Sequence, residues 1–179
     1  MIIYKDIFTG DEMFSDSYPT KLIDGVMYEV TGRYVTVKHG DIQLEGSNPS
    51  AEEATEESDE AVESGCNIVM AHRLVESFAF PDKKSYTQYL KDYVKRLQAK
   101  LLASDPNFNL DEFKTGMNKV MKELISRFKD LQLFTGENMD VDGMVAMMEY
   151  RDIDGENRPV MMFFKHGLEA EKFWVFKTQ

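Results

Sequence analysis

Two short acidic runs carry the oxygen-rich side chains that a hard metal ion needs. Asp140-Val141-Asp142-Gly143 and Asp152-Ile153-Asp154-Gly155-Glu156 both open as a calcium-binding EF-hand loop opens. Neither continues as one, because the glycine stands fourth instead of sixth and no glutamate closes the loop at twelve. A β-turn whose Asp and Gly supply backbone geometry accounts for the same residues. A chain with 32 acids still collects Ca2+ weakly through oxygen, so Asp140, Asp142, Asp152, Asp154 and Glu156 are candidate ligands of a weak, poorly localised calcium site.

Nucleophilic chemistry needs a nucleophile, a base and an orienting group. The three histidines, His39, His72 and His166, stand in unrelated contexts, and His72 reads as a hydrogen-bonded strand histidine. Cys66 reads as a small buried thiol at a strand start. There is no G-x-S-x-G, no glycine-rich phosphate cradle and no C-x-x-C, and one Cys with three scattered His does not make a structural zinc site. The expectation is a protein that is not an enzyme and carries no organic cofactor.

A third set of residues suits binding. Lys83, Lys84, Lys91, Lys95, Arg96 and Lys100 fall within one segment that contains a single acid, Asp92. They form either a solvated helix face or a docking face for an acidic surface such as the tails of tubulin. Both readings stay open at this level.

The elements that must hold these residues can be read in order. Ile2 to Tyr4 lead into Ile7-Phe8 as a strand, turned by Thr9-Gly10-Asp11, and Asp11 to Asp16 reads as an acidic turn anchored by Met13 and Phe14. Val26 to Val37 reads as a hairpin bent at Thr31-Gly32-Arg33. Residues 44–65 carry many acids and almost no large apolar residue, which predicts a mobile acidic loop. Strand character returns from Asn67 to Val75 and continues to Phe80. Asp82 then caps a helix with Tyr86, Leu90, Tyr93, Val94, Leu97 and Leu101 on one face. Ser104-Asp105-Pro106-Asn107 stops it, and Asn109 with Glu112 opens a second, whose stripe is Leu110, Phe113, Met117, Val120, Leu124, Phe128 and Leu131. Their short link predicts a helical hairpin over about 82–131. Four strands follow, at Leu131–Phe134, Met144–Tyr150, Pro159–Phe164 and Lys172–Phe176, with a tight turn at Asp152-Ile153-Asp154-Gly155. The layout is α+β: a mostly antiparallel β body in one domain, with its terminal strands paired and its methionines filling the core.

Composition bounds what such a body can do. The 179 residues carry a net charge of −11, which opposes generic nucleic-acid binding. The charge is segregated: Lys83 to Lys129 holds 11 basic against 5 acidic residues, leaving −17 on the remainder. No apolar run approaches the ~20 residues of a membrane span. The acid at Asp6 interrupts any apolar signal region, and the lone Cys66 suits a reducing compartment, so the expected location is the cytosol.

Three stretches carry a resemblance to a known family. Met1 to Asp6 with Asp11-Glu12-Met13-Phe14-Ser15-Asp16 resembles the opening of the translationally controlled tumour protein (TCTP) family. Gly46-Ser47-Asn48-Pro49-Ser50-Ala51-Glu52 is similar to its first signature. Leu133-Phe134-Thr135-Gly136-Glu137-Asn138-Met139, with Asp142-Gly143-Met144-Val145-Ala146 and Tyr150-Arg151, is similar to its second. Order, spacing and length agree along the whole chain.

The resemblance implies a β-tent body with a long mobile loop and a projecting helical hairpin, similar to the fold of a chaperone of Rab-type GTPases. It implies a cytosolic, calcium-binding, microtubule-associated interaction protein with roles in growth and survival. The segment Lys83 to Lys100 matches the family region tied to tubulin and to anti-apoptotic, helix-binding partners. A regulatory role on a Rheb-type small GTPase is implied through the residue at Glu12, and a client-binding chaperone is a further alternative. Relatives also occur outside cells without a signal peptide. Many end in a cysteine that can link two chains, whereas this chain ends Phe176-Lys177-Thr178-Gln179, so no C-terminal disulfide dimer is expected.

Overall fold

The computed structural model describes residues 1–38 and 62–173. In chain order its strands are β1 (Ile2–Asp6), β2 (Glu12–Ser15), β3 (Thr20–Ile23), β4 (Met27–Thr31), β5 (Tyr34–Lys38), β6 (Val62–Cys66), β7 (Val75–Glu76), β8 (Gln132–Thr135), β9 (Ala146–Ile153), β10 (Glu156–Phe164) and β11 (Leu168–Lys172). The α-helices are α1 (Asn67–Ala71), α2 (Lys83–Ser104) and α3 (Leu110–Ser126). The strands pair antiparallel into three open sheets, β11-β1-β2, β3-β4-β10-β9-β8-β7 and β5-β6. The expected pairing of the terminal strands is therefore present, β1 lying against β11.

The sequence of β10 explains the layering. Val160 to Phe164 is an unbroken apolar run, all of it buried, which suits a strand covered on both faces. Successive side chains point to opposite faces. Phe163 stacks on Phe14 of β2 at 4.5 Å, and Phe164 meets Tyr93 of α2 at 5.5 Å. The three-stranded sheet thus packs on one face of the six-stranded sheet and the helices pack on the other. Each fully buried ring of this kind stabilises the fold by about 1.5–3 kcal/mol. Met147, Met148, Met161 and Met162 fill the same layer, while Met139 stays exposed.

Local signals set the helices. The Asp82 carboxylate accepts the Ser85 N–H at 2.7 Å to start α2, and the Asn109 side chain accepts the Glu112 N–H at 3.2 Å to start α3. Tyr86, Leu90, Tyr93 and Leu97 are buried as their spacing predicts, and Tyr89 joins them. Gly116 of α3 sits so close to the β3–β4 turn that a Cβ there would lie 2.6 Å from the Asp24 carbonyl. The β9–β10 turn has Asp154 and Gly155 at φ 53° and 83°, the geometry of a type I′ hairpin.

Several expectations are corrected. Asp11 to Asp16 is not an acidic turn, because Glu12–Ser15 forms β2, paired with β1 and burying Met13 and Phe14. Val26 to Val37 is not a hairpin. The chain does bend at Gly32, but β4 pairs with β3 and β10 while β5 pairs with β6. The bend is held by Gly32 N–H to the Pro159 carbonyl and Arg33 N–H to Asn67 Oδ1, both at 2.8 Å. Residues 67–75 are not a strand: Asn67–Ala71 is helical, Arg73 has φ 57°, and only Val75–Glu76 pairs, with β8. Burial of Ile68 and the Arg33–Asn67 bonds outweigh the β-propensity of Ile-Val. The expected acidic loop of 44–65 falls mostly outside the described residues, and its last four residues are strand in β6. The final strand is Leu168–Lys172, earlier than expected, and residues 174–179 lie outside the described set.

Candidate functional site

The six basic residues of α2 divide into two groups. Lys83, Lys84, Lys91 and Lys95 are exposed and make no ion pair among the described residues. Arg96 is half-buried and Lys100 stays exposed, but both head groups are engaged by the fold. The Arg96 guanidinium donates to the Asp142 carbonyl and lies 5.2 Å from the Phe8 ring centroid. The Lys100 ammonium donates to the Ile7 carbonyl at 2.9 Å and sits 5.0 Å from the same ring. These two clamp α2 to the β1–β2 turn and to the β8–β9 loop. The uniform basic face read from the sequence therefore divides into four lysines without a described partner and two cations bonded to backbone carbonyls.

Glu12 opens β2, and its side chain is 42% exposed. Its Oε2 lies 3.2 Å from Nδ1 of His72, whose side chain is only 7% exposed, in an orientation that leaves Nδ1 without a hydrogen bond. Nε2 of His72 is hydrogen-bonded to the Tyr18 hydroxyl at 3.1 Å. His72 is thus the C-cap of α1 and not a strand residue. Next to it, Arg73 pairs with Glu137 at 3.3 Å, both well exposed. Sequence reasoning missed the contact of Glu12 with His72 because sixty residues separate them and no local pattern links them.

Beneath this surface two buried acids tie the first and last motifs together. Asp6 is 3% exposed; its Oδ2 accepts the Met144 N–H at 2.7 Å and its Oδ1 accepts the Phe8 N–H at 2.9 Å. Asp11 accepts from the Asn138 amide. Gly143 packs on the Asp6 carboxyl and Gly136 on Asp11, with no room for a Cβ at either position. The Tyr89 hydroxyl completes the joint, donating to the Gly143 carbonyl at 2.7 Å and accepting the Val145 N–H at 2.9 Å.

The acidic runs serve turns. The Asp142 N–H donates to Asp140 Oδ1 at 2.9 Å, an Asx turn in the β8–β9 loop. Asp152, Asp154 and Glu156 lie at the β9–β10 turn, at the other end of β9. The five candidate ligands therefore fall into two separate groups. Among the described residues no three His, Cys, Asp or Glu are grouped to hold a metal ion. Burial pushes the Cys66 thiol up from its ordinary pKa, as suits an inert thiol. Among the described residues no helix is long and apolar enough to cross a membrane.

The family model described as translationally controlled tumour protein matches residues 1–169. A translationally-controlled tumor protein homolog from Bombyx mori is 69% identical over 173 residues, covering 97% of this chain and 100% of that one. The homolog from Drosophila melanogaster is 61% identical over 172 residues, covering 96% and 99%. Among solved structures, the translationally controlled tumor-associated protein p23fyp from Schizosaccharomyces pombe superposes with a TM-score of 0.77 at 43% identity, covering 97% of this chain and all of that one. The NMR structure of the translationally-controlled tumor protein from Caenorhabditis elegans gives 0.73 at 40%, covering 98% and 100%.

The joint at Asp6 has a pH signature. Burial pushes its carboxyl up from the ordinary value, the nearby Asp11 adds to the rise, and the amide bonds from Met144 and Phe8 oppose it. The fold then keeps a proton over a pH range in which the unfolded chain has released it. That contribution is full below the ordinary carboxylate range and is lost as pH rises through the raised value. Urea unfolding of the wild type and Asp6→Asn, from about pH 3 to about pH 8, checks this sign. The advantage of the wild type over Asp6→Asn is greatest at the acidic end and shrinks as pH rises; an advantage that grows with pH overturns the assignment.

Proposed function

This chain belongs to the translationally controlled tumour protein family, and we propose that it works by binding partners, with the outer lysine face of α2 docking acidic surfaces such as the tails of tubulin. One observation carries the reading: Lys83, Lys84, Lys91 and Lys95 are exposed and lack ion pairs among the described residues, on a chain whose net charge is −11. Like charges held close on one helix repel. An acidic partner relieves that repulsion and is steered to the face at low salt. Arg96 and Lys100 support the fold instead, so the test spares them. Replacing Lys84, Lys91 and Lys95 together by Gln lowers microtubule co-sedimentation by about tenfold in low salt, with an unchanged thermal midpoint. Co-sedimentation equal to the wild type removes the reading.

A second reading rests on Glu12. Its half-exposed carboxylate, set against the buried His72, supports contact with a Rheb-type small GTPase. A carboxylate there could promote nucleotide release by competing for Mg2+ or for a phosphate-loop lysine. Glu12→Val slows release of a fluorescent GDP from such a GTPase; identical release rates and affinity for the two proteins dispose of this reading.

Calcium binding is proposed as weak and spread over the acidic surface, with Asp140, Asp142, Asp152, Asp154 and Glu156 as contributors. Among the described residues no three His, Cys, Asp or Glu are placed to hold a metal ion together, which supports diffuse over site-like binding. In a proton–nitrogen NMR titration the acidic turns drift alike with Ca2+ and Mg2+. Saturable shifts with Ca2+ alone at one turn contradict it.

A further inference from the structure

We propose that the partner's acidic segment carries an apolar or aromatic anchor residue, and that this anchor seats in the groove between α2 and the β8–β9 loop. The inference rests on the lysine-face reading and adds to it a specificity site. Lys84, Gln88, Lys91 and Lys95 recur at i, i+4, i+7 and i+11 and so form one strip along α2. Ser85, Tyr89, Asp92 and Arg96 form a second strip, one residue further on, about 100° around the helix. The second strip lines a groove of about 710 Å³ whose other walls are Ala79, Phe80, Val141 and Asp142. Gln88 belongs to both this groove and the adjoining lysine recess, so the two are continuous along the helix.

The groove floor is apolar and rigid. The Phe80 and Tyr89 rings lie 4.7 Å apart, and the Tyr89 hydroxyl is fixed by its bonds to Gly143 and Val145. Arg96, held on the Asp142 carbonyl, closes one end. A floor fixed before binding loses little entropy when an apolar group enters. Charge sets the orientation of the occupant. Lys83, Lys84 and Lys91 line the adjoining recess on one side of Gln88, while Asp92 and Asp142 line the groove itself, Asp92 accepting from the Gln88 amide at 3.1 Å. A peptide with acids on both sides of its anchor meets those two carboxylates. One whose acids all lie on the lysine side does not. The partner chemistry is therefore an acidic peptide with an apolar residue at one edge of the acidic run.

Fluorescence anisotropy with the full chain and two labelled peptides tests this: a glutamate run ending in Phe, and the same run ending in Ser. The Phe peptide binds about tenfold more tightly, the effect of burying part of an aromatic ring. Val141→Ser, at a half-buried loop position, narrows that difference and leaves the Ser peptide unaffected. Lys84→Gln/Lys91→Gln/Lys95→Gln weakens both peptides. Amide shifts at Val141 and Asp142 move with the Phe peptide only. Equal affinities for the two peptides, with the triple lysine variant still impaired, overturn the groove and leave the lysine face standing. Binding of neither peptide at low salt overturns both. A Phe preference that Val141→Ser leaves intact places the anchor elsewhere and also overturns the groove.

Discussion

Two-sided burial of β10 is the constraint on which the molecule depends. A strand that alternates its side chains but is apolar at every position from Val160 to Phe164 has to be covered twice. Phe163 draws the β11-β1-β2 sheet onto one face through Phe14, and Phe164 draws α2 onto the other through Tyr93. The two covering layers are far apart in sequence, so each needs its own means of registration. On the strand side the chain ends supply it, with β1 paired along its whole length to β11. On the helical side it comes from polar groups that reach across layers: Arg96 and Lys100 to backbone carbonyls, and Tyr89 to the backbone at Gly143 and Val145.

The polar joint at Asp6 and Asp11 explains why residues 136 and 143 of this chain are glycines. A carboxyl buried to 3% exposure is costly unless hydrogen-bonded, and Asp6 receives two backbone amides that β pairing leaves unclaimed. For the β8–β9 loop to reach it, residue 143 must lack a Cβ, and the same holds for residue 136 against Asp11. Both glycines have ordinary backbone angles, so close approach and not a left-handed turn requires them. Gly143, the glycine of the run that resembles the start of a calcium loop, is therefore required by packing. One half of that resemblance has a structural cause that involves no metal.

The helices were legible because their signals are local. Asp82 and Asn109 cap within three residues, and the apolar positions follow a 3.6-residue period that one helix can satisfy alone. The β9–β10 hairpin was legible for the same reason, since Asp154-Gly155 specifies its turn. What failed was non-local. Val26 to Val37 has the composition of a hairpin, yet β4 finds its partner in β10, and β5 is left to pair with β6. Asn67 to Val75 has strand propensity, yet the Asn67 side chain is committed to Arg33 and the chain turns helical around Ile68. The split of the basic residues was equally hidden. Nothing in the order Lys95-Arg96 says that the first faces water and the second lies over Phe8.

That split allows one helix to serve two ends without conflict. Tyr86, Tyr89, Leu90, Tyr93 and Leu97 are buried, Arg96 and Lys100 stitch the edges, and the remaining cations make no ion pair among the described residues. Charge placed on a face free of packing can change with little effect on stability, because exposed positions away from caps and networks shift it by only about 0.5 kcal/mol. The acidic remainder does not cancel the face. At about 0.1 M salt the screening length is about 10 Å, so a partner at the outer face of α2 senses the nearby lysines far more than the −17 spread over the rest of the chain. A body of net negative charge can in this way present a locally positive surface, and the bonds that commit Arg96 and Lys100 to backbone carbonyls decide which cations stay free to meet a partner.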